Sequence, residues 1–131
     1  MPVTLGISVF GIAATRPEPI AQDMRLLLPW VDYIAPMVYP SHWGPGEYGL
    51  ANPNANPYEI VKRSLTDFHA IAYGSGVAVL PWLQAFSAGG IDYGPDKVIA
   101  QVQAAAEVGS PGFLLWNSGS SYDPNALPPL A

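Results

Sequence analysis

Three short segments concentrate the residues able to handle a polar ligand. They are Tyr39-Pro40-Ser41-His42-Trp43, Trp82-Leu83-Gln84 and Trp116-Asn117-Ser118. Each sets an aromatic ring beside amide, hydroxyl or imidazole groups. Rings stack on apolar C–H faces and the polar groups bond to hydroxyls, so the mixture suits a sugar. Any one of these residues could equally fill the core, with its amide tied to local backbone. Three segments with the same chemistry favour a site. The candidate binding residues are Tyr39, His42, Trp43, Glu47, Trp82, Gln84, Trp116 and Asn117.

Cleavage of a glycosidic bond usually calls for two carboxyls about 5–9.5 Å apart. No strand-like run contains an acid, and Asp32 only precedes one. The acids in segments following such runs are Glu18, Glu47, Asp92 and Asp123. Loop acids are usually just solvated. Glu47 stands out because its loop also carries His42 and Trp43. The pattern is a sugar site without its carboxylate pair, and it assigns no catalytic residue.

Other chemistries are poorly served. Only His42 and His69 offer imidazole and there is no cysteine, so no metal site, no other cofactor and no disulfide is expected. No Gly-x-Ser-x-Gly elbow is present. Gly44-Pro45-Gly46-Glu47-Tyr48-Gly49 matches a dinucleotide fingerprint literally, but a loop rich in Asn and Pro follows it where a helix should open. Five Lys/Arg against ten Asp/Glu, with only Lys62-Arg63 adjacent, argue against nucleic acid and against a basic membrane-binding face. No apolar run approaches the length of about 20 residues that a membrane span needs.

The elements that would position these segments alternate along the chain. Strand-like runs cover Val3–Phe10, Tyr33–Tyr39, Val77–Phe86 and Phe113–Asn117, each apolar on both alternations. Helical patterns cover Pro19–Leu28, Pro57–Tyr73 and Pro95–Val108. Asn56 is placed to cap the second, and Gly74 and Gly109 to stop the second and third. Ile60, Val61, Leu65, Phe68 and Ile71 form one buried stripe; Val98, Val102, Ala105 and Ala106 form another. The order predicts four parallel strands with three main helices joined by right-handed crossovers. At roughly 33 residues per unit it fits both a (β/α)8 barrel and a doubly wound sheet. Pro36 and Pro81 fall inside strand runs, each three residues before a strand end, and read as a repeated local device such as a bulge.

The most specific stretch is Asp32-Tyr33-Ile34-Ala35-Pro36-Met37-Val38-Tyr39-Pro40-Ser41-His42-Trp43-Gly44-Pro45-Gly46. Gly49–Pro53, Asn56–Glu59, Pro81–Gln84, Tyr93-Gly94-Pro95 and Leu115-Trp116-Asn117 continue it. Together these resemble the bacterial putative glycoside hydrolase TIM-barrel domain family, over nearly the whole chain. The resemblance implies an α/β fold that is half of a (β/α)8 TIM barrel, with residues 1–131 as one C-terminal half-barrel domain, strands five to eight. It implies carbohydrate chemistry on a poly- or oligosaccharide, and an extracytoplasmic setting, although no export signal is visible. Family members carry an aspartate in the first of these strands, in an Ala-Asp-Val-Phe-Gly-like stretch. Ser8 stands there in Gly6-Ile7-Ser8-Val9-Phe10-Gly11.

A chain opening directly on a core strand is expected to have lost something upstream. An open half-barrel has two unpaired edges and an apolar inner face, both of which invite association. The chain is therefore expected to form a homodimer or to require a missing N-terminal half-barrel. It would then be glycoside hydrolase-like but incomplete for catalysis alone. The alternatives are a non-catalytic carbohydrate-binding module or an oligomerising fragment.

Overall fold

The computed structural model describes residues 2–127. Met1 and the end of the Pro-rich tail lie outside the described residues. The elements are β1 (Gly6–Phe10), α1 (Met24–Leu27), β2 (Tyr33–Met37), α2 (Pro57–Ala72), β3 (Ala78–Val79), β4 (Trp82–Gln84), α3 (Pro95–Glu107) and β5 (Leu114–Trp116).

All strand pairings are parallel: β1 with β2, β2 with β3 and β4, and β4 with β5. The sheet therefore runs in chain order, without the reversal that puts helices on both faces of a doubly wound sheet. One alternation of strand residues, Val9, Ile34, Val38, Val79 and Leu83, is buried against Met24, Val61, Leu65, Phe68, Ala104 and Ala105 from the three helices. Among the described residues no α-helix lies on the other face. Singly wound strands with every helix outside are the construction of a (β/α) barrel, here an arc of four strand positions.

The third expected strand is two pieces, and the expected bulge is absent. Ile34 pairs with Val79 and Met37 with Trp82, the same separation on both strands, so the register is unbroken and Pro36 lies opposite Pro81. Pro36 has no N–H to give toward β3–β4, so the ladder loses a bond there and splits. Leu80 N–H still reaches the Ile34 carbonyl and Val38 N–H the Trp82 carbonyl on either side of the gap.

The first expected helix also fails as one element. A 3-10 turn at Glu18–Ile20 ends at Ala21, held at φ 53°. Asp23 then caps the short α1, and a second 3-10 turn runs Leu28–Trp30. The break falls at Ala21–Asp23, where the backbone leaves the right-handed helical region, and Pro17, Pro19 and Pro29 all lie outside it. The longer helices form close to the expected bounds. In α2, Asn56 precedes Pro57 but its amide donates to the Asn52 carbonyl instead of capping, and Gly74 follows at φ 77°. In α3 the buried stripe is Val98, Gln101, Ala104 and Ala105, while Ala106 faces solvent. The expected Val3–Leu5 portion of the first strand lies exposed outside the sheet.

One small residue lets an aromatic lie flat across the helix-free face. A Cβ at Gly6 would stand 1.9 Å from the Tyr33 ring. Ala35, 2% exposed, pairs with Ser8, the residue whose hydroxyl the Trp82 indole reaches.

Candidate carbohydrate site at the strand tips

Parallel strands bring the ends of β1, β2, β4 and β5 to one side of the molecule, which is where barrel enzymes place their sites. Trp82 and Trp116 meet edge to face with centroids 6.1 Å apart. The Trp82 indole N–H donates to Ser8 Oγ at 3.0 Å. Trp116 is 46% exposed and Phe10 49%, so both keep a free ring face. Beside them Phe10, Gly11, Ile12, Met37, His42 and Trp43 line a cleft of about 280 Å³. His42 is exposed and meets the Tyr39 ring edge to face at 5.1 Å.

The eight residues singled out in the sequence lie on this side, with different exposure. Tyr39 and Trp43 are 5% and 6% exposed. Tyr39 packs between His42 and Phe86, and Trp43 against Tyr48. Burial, and then the nearby Tyr122, push the Tyr39 hydroxyl up to about 12, so it stays protonated at neutral pH. Gln84 is wholly buried: its Oε1 accepts the Ser41 N–H at 3.0 Å and its Nε2 donates to the Phe86 carbonyl at 2.9 Å. Asn117 donates to the Ala85 carbonyl at 2.6 Å and accepts the Gly119 N–H at 2.8 Å. Both amides are thus occupied in shaping the loops. Trp82, Trp116 and His42 are the candidates with surface free for a ligand.

Glu47 pairs with Arg16 at 2.9 Å, tying the β1 and β2 loops together. Its loop is held further by Tyr48, which bonds to Asp67 at 2.6 Å, and by Arg63, which donates to the Tyr48 carbonyl at 2.6 Å. Burial, followed by that Asp67 bond, raises the Tyr48 pKa strongly. The Gly44–Gly49 stretch is a loop with Gly46 and Gly49 in left-handed conformation, not a helix opening. Glu18 is exposed in the 3-10 turn beyond β1, and three other acids are engaged locally. Asp32 accepts the Leu5 N–H at the opposite, entry end of the sheet, Asp92 accepts the Ser87 hydroxyl, and Asp123 accepts the Asn125 N–H. Among the described residues no group of three or more His, Cys, Asp or Glu could hold a metal, and no helix is long and apolar enough to cross a membrane.

Sequence reasoning missed Phe10, Met37 and Gln101. Phe10 ends the first strand run just as Tyr39 ends the second, so its position was available as a signal. Gln101 continues the helical spacing from Val98 as the polar member of a buried stripe.

A singly wound parallel sheet with the described helices on one face defines an α/β domain of the (β/α)-barrel type. Residues 1–122 match the family described as a putative glycosyl hydrolase domain, and the chain belongs to that family. Among solved structures it is similar to bee venom hyaluronidase, with 20% identity and a TM-score of 0.53 over 73% of this chain. That likeness speaks to the fold. The chain spans about 30% of the hyaluronidase chain. No curated protein matches its sequence.

Proposed function

We propose that this chain forms the sugar-binding part of a glycoside hydrolase-like barrel whose ligand is a poly- or oligosaccharide. The observation that carries the reading is the free ring surface of Phe10, Trp82 and Trp116 on the helix-free face, beside the exposed His42. Aromatic faces of this kind stack on the C–H side of sugar rings while the imidazole bonds to a hydroxyl. Membership of a glycosyl hydrolase family supports carbohydrate as the ligand class. In this reading Tyr39, Trp43, Gln84 and Asn117 shape the site from beneath, and Glu47 braces its rim through Arg16.

The same reading makes the chain a binder that does not turn its ligand over alone. Hydrolysis by a carboxylate pair needs two acids facing the sugar. Glu47, Asp92 and Asp123 are engaged with an arginine, a hydroxyl and backbone, Glu18 lies exposed in the 3-10 turn beyond β1, and Ser8 occupies the β1 position where the family resemblance implies an aspartate. Among the described residues no strand lies beside the outer edges of β1 and β5, which favours a partner supplying further strands, either a second copy or a separate N-terminal half-barrel.

Isothermal titration of the purified chain with chito-, cello- and hyaluronan oligosaccharides, paired with a reducing-end assay, tests this. Saturable binding of at least one class without release of reducing ends is expected. Absence of binding to every class would remove the proposal, and turnover by the lone chain would overturn its non-catalytic part.

A further inference from the structure

We infer that Gln101, in the helix layer behind the sheet, is a positioning residue for the His42 loop and acts through Gln84. The inference rests on the reading of the strand tips as a sugar site, because that is what gives the placement of His42 a use.

Gln84 and Gln101 are both wholly buried. A carboxamide taken out of water without partners is costly, so two such groups persist only if nearly every polar atom is matched. The Gln101 carboxamide grips both main-chain groups of Gln84. Its Oε1 accepts the Gln84 N–H at 2.9 Å and its Nε2 donates to the Gln84 carbonyl at 2.8 Å. A regular continuation of the Met37–Trp82 register would send that N–H to the Val38 carbonyl. Beyond Val38, however, β2 turns away into the 3-10 turn at Pro40–His42, and the helix-borne amide takes the vacated place.

The Gln84 side chain carries the constraint onward. Its amide oxygen holds the Ser41 N–H and its amide nitrogen holds the Phe86 carbonyl, so one group fixes the turns leaving both β2 and β4. Ser41 directly precedes His42, whose ring lines the cleft. Two further bonds tie the same pair of loops together: Asn54 Nδ2 donates to the Ala88 carbonyl at 2.7 Å, and Tyr93 Oη donates to the Asn54 carbonyl at 2.8 Å. Helix packing alone does not ask for an amide at position 101. Its neighbours in the buried stripe are Val98, Ala104 and Ala105, and a methionine would fill the same volume. What methionine lacks is the pair of bonds to Gln84.

The test uses the intact chain and Gln84→Met and Gln101→Met variants, which keep volume and remove the bonds. Three readouts are followed by nuclear magnetic resonance: amide exchange at Ser41, the His42 ring signals, and the His69 ring signals as an internal control. His69, on α2, bonds to Ser110 beyond the end of α3, away from the tips. In the unaltered chain the Ser41 amide exchanges slowly. Each variant speeds that exchange by about tenfold or more and moves the His42 signals, while His69 stays fixed. The double variant goes no further than Gln84→Met alone, because the two act in series. A folded Gln101→Met protein with native Ser41 exchange and native His42 signals would overturn the inference. If the variants do not fold, the unaltered chain decides, since an unprotected Ser41 amide is incompatible with the relay. None of these readouts needs a sugar. Failure to bind the oligosaccharide panel with the relay intact therefore rejects the sugar reading, and native binding with the relay absent rejects the inference.

Discussion

The indole N–H of Trp82 on β4 donates to the hydroxyl of Ser8 on β1 at 3.0 Å, with β2 lying between them. On β2 the residue opposite Ser8 is the small Ala35, and the one opposite Trp82 is Met37. The bond joins two strand tips and fixes the plane of a ring that also meets Trp116 edge to face. It makes Ser8 on β1 an anchor for the aromatic wall.

Removing that anchor should loosen the wall without unfolding the chain. Ser8→Ala is expected to cost about 0.5–1.5 kcal/mol, the net worth of one hydrogen bond. Denaturant unfolding monitored by tryptophan fluorescence measures it. A change within error of zero would mean that the indole does not depend on the hydroxyl for its placement.

The exposed and buried aromatics should separate in their effects. Trp116→Ala is expected to weaken sugar binding by roughly 0.5–1.5 kcal/mol, up to about tenfold in Kd, with little change in unfolding. Tyr39→Ala or Trp43→Ala empties a packed position and should cost about 3–5 kcal/mol of stability. Paired calorimetric titrations and melts check this, and a stable Trp43→Ala protein that merely loses sugar would reverse the assignment of roles.

Gly6 should tolerate no side chain. A methyl group there would stand 1.9 Å from the Tyr33 ring, so the ring must move from its place across β1. Gly6→Ala is expected to lower stability by about 1–3 kcal/mol, as overpacking does. Equal melting curves for the two proteins would show that Tyr33 shifts freely.

Alkaline stability should decline from about pH 10. Burial raises the Tyr39 pKa to about 12, and raises those of Tyr48 and Tyr93 as well. Between the unfolded value of about 10 and the folded value, the native state holds more protons than the unfolded one, so stability falls as pH rises through that window. Below the unfolded value the contribution is fully present. Tyrosinate absorbance followed together with circular dichroism should show a delayed class of tyrosines ionising as the fold is lost. Simple titration of all seven tyrosines near pH 10 with the fold intact would contradict this burial.

The helix-free face should drive association. Phe10 and Trp116 expose apolar area there, and β1 and β5 are open at the edges. Light scattering should show a mass that rises with concentration in the micromolar range. A well-folded monomer at tens of micromolar would count against the half-barrel reading.

Strands and the two long helices were legible because their signals are local. The α2 stripe repeats at helical spacing, Pro57 and Gly74 mark its ends, and the apolar runs around Ile34 and Leu83 can only be buried strands. The Pro19–Leu28 helix was misread because apolar spacing does not record the backbone reversal at Ala21, which separates the first 3-10 turn from the Asp23-capped α1. The expected bulge was misread because a proline's effect on a ladder depends on what lies opposite, and Pro36 meets Pro81 only once the register is set.

For the site, residue chemistry marked the right end of the molecule but not the role of each side chain. An aromatic or amide at a strand tip can face a ligand or support a loop, and its type does not distinguish the two. By itself the sequence determined the alternation of elements, the parallel sheet and the gathering of rings and amides at its tips, because these follow from periodicity and from strands sharing one direction. Only the tertiary structure decided that Gln84 is spoken for by Ser41 and Phe86, that Tyr39 and Trp43 are enclosed, and that Phe10, Trp82 and Trp116 keep free surface. The physical reason is that exposure and hydrogen-bond satisfaction are set by neighbours distant in the chain, and no local pattern records them.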